Sequence, residues 1–260
     1  MNETPARASR PPRGIYLLPN LLTTAALFAG FYAIVAAMQG RFVEAAVAVF
    51  VAAVLDGLDG RIARLTGTQS AFGVQYDSLA DMVSFGMAPA LVMYAWALSG
   101  LRELGPTFGK LGWSVAFLYA ACAALRLARF NTQAGVADKR YFQGLASPAA
   151  AGFLMAFVWT VEELGWAGDQ VVWVAVALTV IASLLMVSRI RYLSFKALPM
   201  GERVPFVWVL LLVGLFVLIA VDPPRILLLI ASFYLLSGPA MTLWGLQRAR
   251  QQRGSGEAAP

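Results

Sequence analysis

Seventeen consecutive residues, from Pro205 to Val221, carry no charge, and similar apolar runs recur along most of the chain. Runs of about 20 apolar residues match the hydrocarbon core of a bilayer. Inside that core no water meets the backbone, so each run has to satisfy its own N–H and C=O groups, which a helix does. Composition points the same way. Of the 260 residues, 60% are hydrophobic and 13% are charged, whereas a soluble domain carries about 25% charged residues. Mean hydropathy is +0.70. The runs predict an all-α integral membrane protein with about eight transmembrane helices, at 16–38, 42–66, 72–99, 112–132, 147–163, 170–188, 205–221 and 225–246. One membrane domain, 15–246, is expected between a disordered basic tail at 1–14 and a disordered polar tail at 247–260. The first apolar run is too long for the core of a secretory signal peptide.

Lysine and arginine orient such a chain, because cytoplasmic connections are enriched in them. With the amino terminus in the cytoplasm, sixteen basic residues fall inside, and four (Arg41, Arg102, Lys110 and Arg225) fall outside. The connection that contains Glu162, Glu163 and Asp169 has no basic residue and falls outside. Basic residues on the inner face also attract anionic headgroups. Membrane orientation thus accounts for the net charge of +6, and no nucleic-acid partner is expected.

Histidine is absent, which removes the Ser–His–Asp triad and every His-ligated metal site. The lone cysteine, Cys122, lies in an apolar run and reads as core packing. A metal in this chain has to be held mainly by oxygen, which suits Mg²⁺, Ca²⁺ or Mn²⁺.

Four aspartates fall near the inner ends of the second and third apolar runs. Asp56 and Asp59 are three apart, and Asp77 and Asp81 are four apart, so each pair shares a helix face. The connection between the runs is short, which makes the helices antiparallel neighbours and turns both pairs towards one space. Four like charges at close range repel by several kcal/mol unless a proton or cation compensates, and one or two divalent metals would do so. Gly60, Ala63 and Gly73 leave room beside the carboxylates for a phosphate-bearing substrate, and Arg64 adds positive charge. The plainer alternative is that Arg61 and Arg64 neutralise the aspartates as structural salt bridges.

The run Asp59-Gly60-x2-Ala63-Arg64-x8-Gly73-x3-Asp77-x3-Asp81, preceded by Asp56, resembles the complete signature of the CDP-alcohol phosphatidyltransferase family. That resemblance implies a six-helix core, Mg²⁺ or Mn²⁺ as cofactor, often as a pair of ions, and a homodimer. It implies that Asp56, Asp59, Asp77 and Asp81 hold the metal, with Asp81 also serving as catalytic general base. Gly60, Ala63 and Arg64 would contact CDP, and the expected nucleotide set is Asn20, Thr23, Asp59, Gly60, Ala63, Arg64 and Gly73. For Asn20 and Thr23, capping of the first helix is the competing account.

Further segments resemble the bacterial integral-membrane phosphatidylserine synthase branch of that family. They are Leu18-Pro19-Asn20-Leu-Leu-Thr23, the run from Asp77 to Ala90, Arg126-Leu-Ala-Arg129-Phe130-Asn131 and Tyr141-Phe142-Gln143-Gly144-Leu145. This implies CDP-diacylglycerol and L-serine as substrates, in a bacterial inner membrane with the active site and both termini on the cytoplasmic side. The chain departs from that branch at Ala146, where a proline is usual. Arginine suits bidentate carboxylate binding, so Arg126, Arg129, Asn131 and Ser84 are the candidate serine or phosphate pocket. Lipid headgroups compete for the arginines, and back-bonding to the helix competes for Ser84 and Ser78. The open alternatives are another acceptor alcohol (choline, glycerol 3-phosphate or inositol phosphate) and, from a different class, a cation-binding membrane transporter.

Overall fold

The structure is a computed structural model that describes residues 17–133, 141–193 and 206–256. Among these, eight helical rods run back and forth as the apolar runs predict. They are α1 (Leu17–Met38), α2 (Phe42–Leu65), a third rod built from α3 (Ala71–Asp81), a π-helical turn (Met82–Met87) and α4 (Ala88–Trp96), then α5 (Pro106–Gln133), α6 (Ser147–Glu163), α7 (Val172–Val187), α8 (Phe206–Val221) and α9 (Pro223–Gly256). Five spans are long and apolar enough to cross a membrane: α1, the third rod, α5, α7 and α9. The remaining three fall short for visible reasons. Charged residues, among them Asp56 and Asp59, interrupt α2, while α6 and α8 have only 17 and 16 residues. Short 3-10 turns, Leu98–Leu104 and Gly168–Val171, link rods at the face away from the start of α1.

Packing between α1 and α2 is by small residues. Ala29, Ala33, Ala36 and Ala37 meet Ala45, Ala46, Ala48 and Ala52, all nearly or fully buried. Small side chains let helix backbones approach where no hydrophobic force separates helix from lipid. α1 also packs on the third rod, where a Cβ at Gly30 would lie 2.7 Å from Ser84 Cα. α2 and α9 flank α6, α5 packs on α7, and among the described residues α8 packs chiefly on α9, with none of its side chains buried.

One feature lies outside the all-helical expectation. A two-stranded antiparallel ribbon joins β1 (Tyr141–Gln143) to β2 (Arg191–Leu193), with Phe142 opposite Tyr192. It couples the α5–α6 connection to the α7–α8 connection. Gly144, at φ +82°, continues the link by donating to Ile190 O at 2.8 Å, and Leu145 N–H donates to Leu185 O at 3.0 Å. Ala146, where a proline is usual in the resembling branch, has φ −64° and ψ 136°, the backbone a prolyl ring would impose. The loop keeps that shape without the ring.

Two expected boundaries are corrected. α5 begins at Pro106 rather than 112, because the residues after the 3-10 turn are already helical. α9 runs to Gly256 and not to 246, so most of the expected disordered tail continues the helix. The tail at 1–14 lies outside the described residues.

Near a proline in each of two rods, a buried tyrosine donates to a backbone carbonyl. In α geometry Leu235 O would accept from residue 239, which is proline and has no N–H, while Phe85 O lies in the π turn just before Pro89. Tyr119 Oη donates to Phe85 O at 3.2 Å, and Tyr192 Oη donates to Leu235 O at 3.2 Å. Both phenols are fully buried, and the missing side chain of Gly238 lets the Tyr192 ring reach α9. A buried carbonyl left unpaired costs about 1–3 kcal/mol. Tyr192→Phe should therefore lower the melting temperature of the detergent-solubilised protein. Adding Pro239→Ala, which restores an N–H for Leu235 O, should recover most of that loss. Strictly additive losses in the double-mutant cycle would show that the phenol and the proline are uncoupled.

Candidate active site

The four aspartates converge as their spacing predicts. α2 ends at Leu65, Gly67 turns the chain at φ +63°, and Ser70 caps α3 by accepting from Gly73 N–H at 2.9 Å. α1 packs against both α2 and α3, whereas the backbones of α2 and α3 stay apart, and carboxylates fill the space between them. Carboxylate oxygens of Asp56, Asp59 and Asp77 lie within 4.8 Å of one another. Asp81 stands one turn beyond Asp77, against Asp56 and Asp77 and facing Arg126. The compact set is thus three aspartates with the fourth at its edge.

The salt-bridge alternative does not match this arrangement. Among the described residues, the ion pairs within 4.0 Å are Arg41–Glu44 and Arg225–Asp222, both at the opposite face. Arg64 acts on Asp59 only through space. Asp81 Oδ1 is buried and has no hydrogen-bond partner. A cluster of carboxylate oxygens without a bound cationic side chain, next to an orphaned buried oxygen, fits a hard divalent cation with oxygen ligands.

Asp59 is only 4% exposed, and its position is fixed from α1. Thr23 Oγ1 donates to Asp59 Oδ2 at 2.6 Å, and the Gly60 backbone N–H also points to this carboxylate. Thr23 was expected among the nucleotide contacts. Its hydroxyl is buried in the α1–α2 seam, 2.6 Å from Asp59 Oδ2 and 3.1 Å from Pro19 O. Neither Asn20 nor Thr23 caps α1, which already includes Leu17. Asn20 stands beside Gly73, where an added Cβ would lie 3.4 Å from Asn20 Oδ1. Gly60 faces the Arg64 guanidinium, 3.7 Å from where its Cβ would be, and Ala63 is half-buried on the next turn of α2.

Ser84, expected in the serine or phosphate pocket, is 1% exposed and donates to Ala26 O at 3.1 Å, which fastens the π turn to α1. Ser78 back-bonds to Val74 O at 3.0 Å and also receives Asn131 Nδ2 at 3.0 Å. Asn131 thereby ties α5 to α3 at an exposed position. Arg129 donates to Gln143 Oε1, linking α5 to the ribbon. Arg126 is the arginine that reaches the aspartates. Its Nη1 donates to Ser147 Oγ at 3.0 Å, Tyr119 and Tyr234 lie nearby, and its buried Nε has no acceptor. Ser147, Tyr119 and Tyr234 were not among the sequence candidates. Only Ser147 had a local signal, its place between Gly144 and Pro148.

Comparison with known proteins agrees with this geometry. A family model described as CDP-alcohol phosphatidyltransferase matches residues 16–181, a stretch that begins with α1 and ends within α7. A CDP-diacylglycerol–serine O-phosphatidyltransferase of Helicobacter pylori is 36% identical over 228 residues, covering 88% of this chain and 92% of that one. A protein of the same name from Mycobacterium tuberculosis is 37% identical over 190 residues, covering 69% and 63%. An archaetidylserine synthase of Methanothermobacter thermautotrophicus is 33% identical over 179 residues, covering 67% and 69%.

Partners that orient a metal ligand from behind typically change affinity or activity by about 10- to 100-fold when removed. Thr23→Val should weaken Mn²⁺ binding by that order, read by Mn²⁺ paramagnetic resonance, and Thr23→Ser should restore it. Wild-type affinity in Thr23→Val would mean that Asp59 needs no support from α1.

Proposed function

The chain belongs to the CDP-alcohol phosphatidyltransferase family, and from that membership we propose that it transfers the phosphatidyl group of CDP-diacylglycerol to the hydroxyl of L-serine, releasing CMP. The observation that carries this reading is the juxtaposition of three clustered carboxylates with two unpartnered buried groups, Asp81 Oδ1 and Arg126 Nε. The relatives' names also agree on serine, whether the lipid is diacylglyceryl or archaetidyl.

In this reading Asp56, Asp59 and Asp77 hold Mg²⁺ or Mn²⁺, as one or two ions, with Asp81 sharing at the edge. Bound there, the ion neutralises the diphosphate and the CMP that departs from it. Gly60, Ala63, Arg64, Gly73 and Asn20 form the wall for CDP, where Arg64 is exposed and able to meet phosphate. Arg126 offers its free Nε–H, beside the Nη1 already held by Ser147, to the serine carboxylate. Arg129 and Asn131 shape the same side through the ribbon and α3. Asp81 accepts the proton of the serine hydroxyl. The serine oxygen then bonds to the phosphorus that bears diacylglycerol, the bond from that phosphorus to the oxygen bridging towards CMP breaks, and CMP leaves with the electron pair.

The site opens at the face where the basic residues gather. The Lys/Arg bias supports a cytoplasmic site with both termini on that side, in the inner membrane of a bacterium. The homodimer implied by the sequence resemblance is part of the same proposal, and cross-linking in native membranes tests it.

Purified protein with Mn²⁺ and CDP-diacylglycerol should form CMP on addition of serine. Formation triggered by choline, glycerol 3-phosphate or inositol phosphate in its place would overturn the acceptor. Asp81→Asn should lose about 10²- to 10⁴-fold in turnover and still bind CDP-diacylglycerol. Wild-type turnover by that variant would remove Asp81 as base. Arg126→Lys loses the fork that suits a carboxylate, and should raise the apparent KM for serine by about ten- to a hundredfold with a smaller effect on the lipid. Equal effects on both substrates would exclude a serine contact.

A further inference from the structure

A closed loop of contacts through α5, the ribbon and α9 surrounds Arg126. Arg129, three residues further along α5, donates to Gln143 of β1, and β1 pairs with β2. From β2, Tyr192 engages α9. Its ring centroid lies 5.5 Å from that of Tyr234 at an interplanar angle of 37°, the ring takes the space that a side chain at Gly238 would need, and Oη donates to Leu235 O at 3.2 Å. Tyr234 stands beside Arg126, which closes the loop. We infer that Tyr234 is a positioning residue for the acceptor side, holding the Arg126 guanidinium so that its free Nε–H meets the carboxylate of an amino-acid alcohol. The inference rests on the transferase reading above.

The position of Tyr234 is fixed from outside its own helix. Tyr234 and Gly238 are four apart and share a face of α9, and Tyr192 covers that face. Its contacts set both the height and the rotation of α9. α9 also packs on α6, whose first residue, Ser147, accepts from Arg126 Nη1. Tyr192 is fully buried, whereas Tyr234 and Arg126 are half-buried, as befits a pair at the margin of an accessible site.

The charges around Arg126 agree with this role. Asp81 from the third rod, Tyr119 from α5, Ser147 from α6 and Tyr234 from α9 surround the guanidinium. Asp81 is the only carboxylate in that set, and in the transferase reading it shares the metal. The others present neutral oxygens, and Tyr119 already gives its proton to Phe85 O. Neutral oxygens steady a guanidinium without cancelling its charge, which stays available to an anionic group on the acceptor.

The residues assigned to metal and CDP lie between Asn20 and Asp81, inside the stretch 16–181 that matches the family model, whereas β2 and α9 lie beyond it. The shared stretch thus carries the metal and nucleotide contacts, while the setting of the acceptor arginine draws on elements outside it.

Tyr234→Phe removes the hydroxyl and keeps the ring against Tyr192. CMP release with Mn²⁺ is measured with serine varied at saturating CDP-diacylglycerol, and then with the lipid varied at saturating serine. The variant should raise the apparent KM for serine by about three- to tenfold, the worth of one hydrogen-bonding group, with kcat and the KM for the lipid as in wild type. Added to Arg126→Lys, it should deepen the loss of that variant very little. An unchanged serine KM, equal changes for both substrates, or strictly additive losses in the double variant would overturn the inference. Absence of CMP from the wild-type protein with serine would instead overturn the transferase reading. Should Tyr234→Phe fail to fold, as judged by its melting temperature, Tyr234→Cys decides the matter through its rate of labelling by a water-soluble methanethiosulfonate. The buried Cys122 of the wild-type protein sets the background. Serine, with Mn²⁺ and CDP present, should slow that labelling. A rate that serine leaves unchanged, or no labelling above background, rejects the placement of Tyr234 at the acceptor.

Discussion

Carboxylates gathered inside an apolar bundle require positive charge, and here the described part of the protein brings no cationic side chain within ion-pairing distance of them. Much of the site follows from that deficit. Arg64 and Arg126 stand close enough to bias the cluster but not to quench it. Thr23 and the Gly60 N–H fix Asp59 through hydrogen bonds that leave its charge intact. Such an arrangement is stable with a multivalent cation between the carboxyls and poorly stable without one, so metal binding and local order are coupled. The same charge that a cation answers also excludes an anionic lipid phosphate until the cation is there.

A second constraint acts on the frame. Every backbone carbonyl in the membrane has to be answered from within the protein, and prolines at 89 and 239 withdraw two N–H groups from their rods. Near each proline, a tyrosine from another element donates to a backbone carbonyl. Tyr119 joins α5 to the π turn just beyond Asp81, and Tyr192 joins the ribbon to α9. π turns inside α-helices recur at functional sites. In this protein one lies between Asp81 and Pro89 and seats Ser84 on α1.

The sequence made the rods and the acidic cluster readable because both rest on local rules. Helix length follows from apolar run length, and the three- and four-residue spacings of the aspartates place each pair on a face whatever the remainder of the fold does. Partner choice was not readable. Thr23 and Ser84 look alike as small hydroxyl residues in apolar helices, yet one holds a carboxylate and the other a backbone carbonyl of a neighbouring helix. Only the crossing geometry distinguishes them. The ribbon pairs segments about fifty residues apart with three residues each, too short to leave a period in the sequence. Arg126 and Arg129 were equivalent candidates three positions apart, and their separation into a site-facing and a ribbon-facing residue depends on where Ser147 and Gln143 lie.

α8 has a consequence for the surroundings of the protein. Its 16 described residues rise about 24 Å, and among the described residues α9 is the main element that packs on it. With none of its side chains buried, that flank offers acyl chains a continuous apolar wall rather than a packed seam.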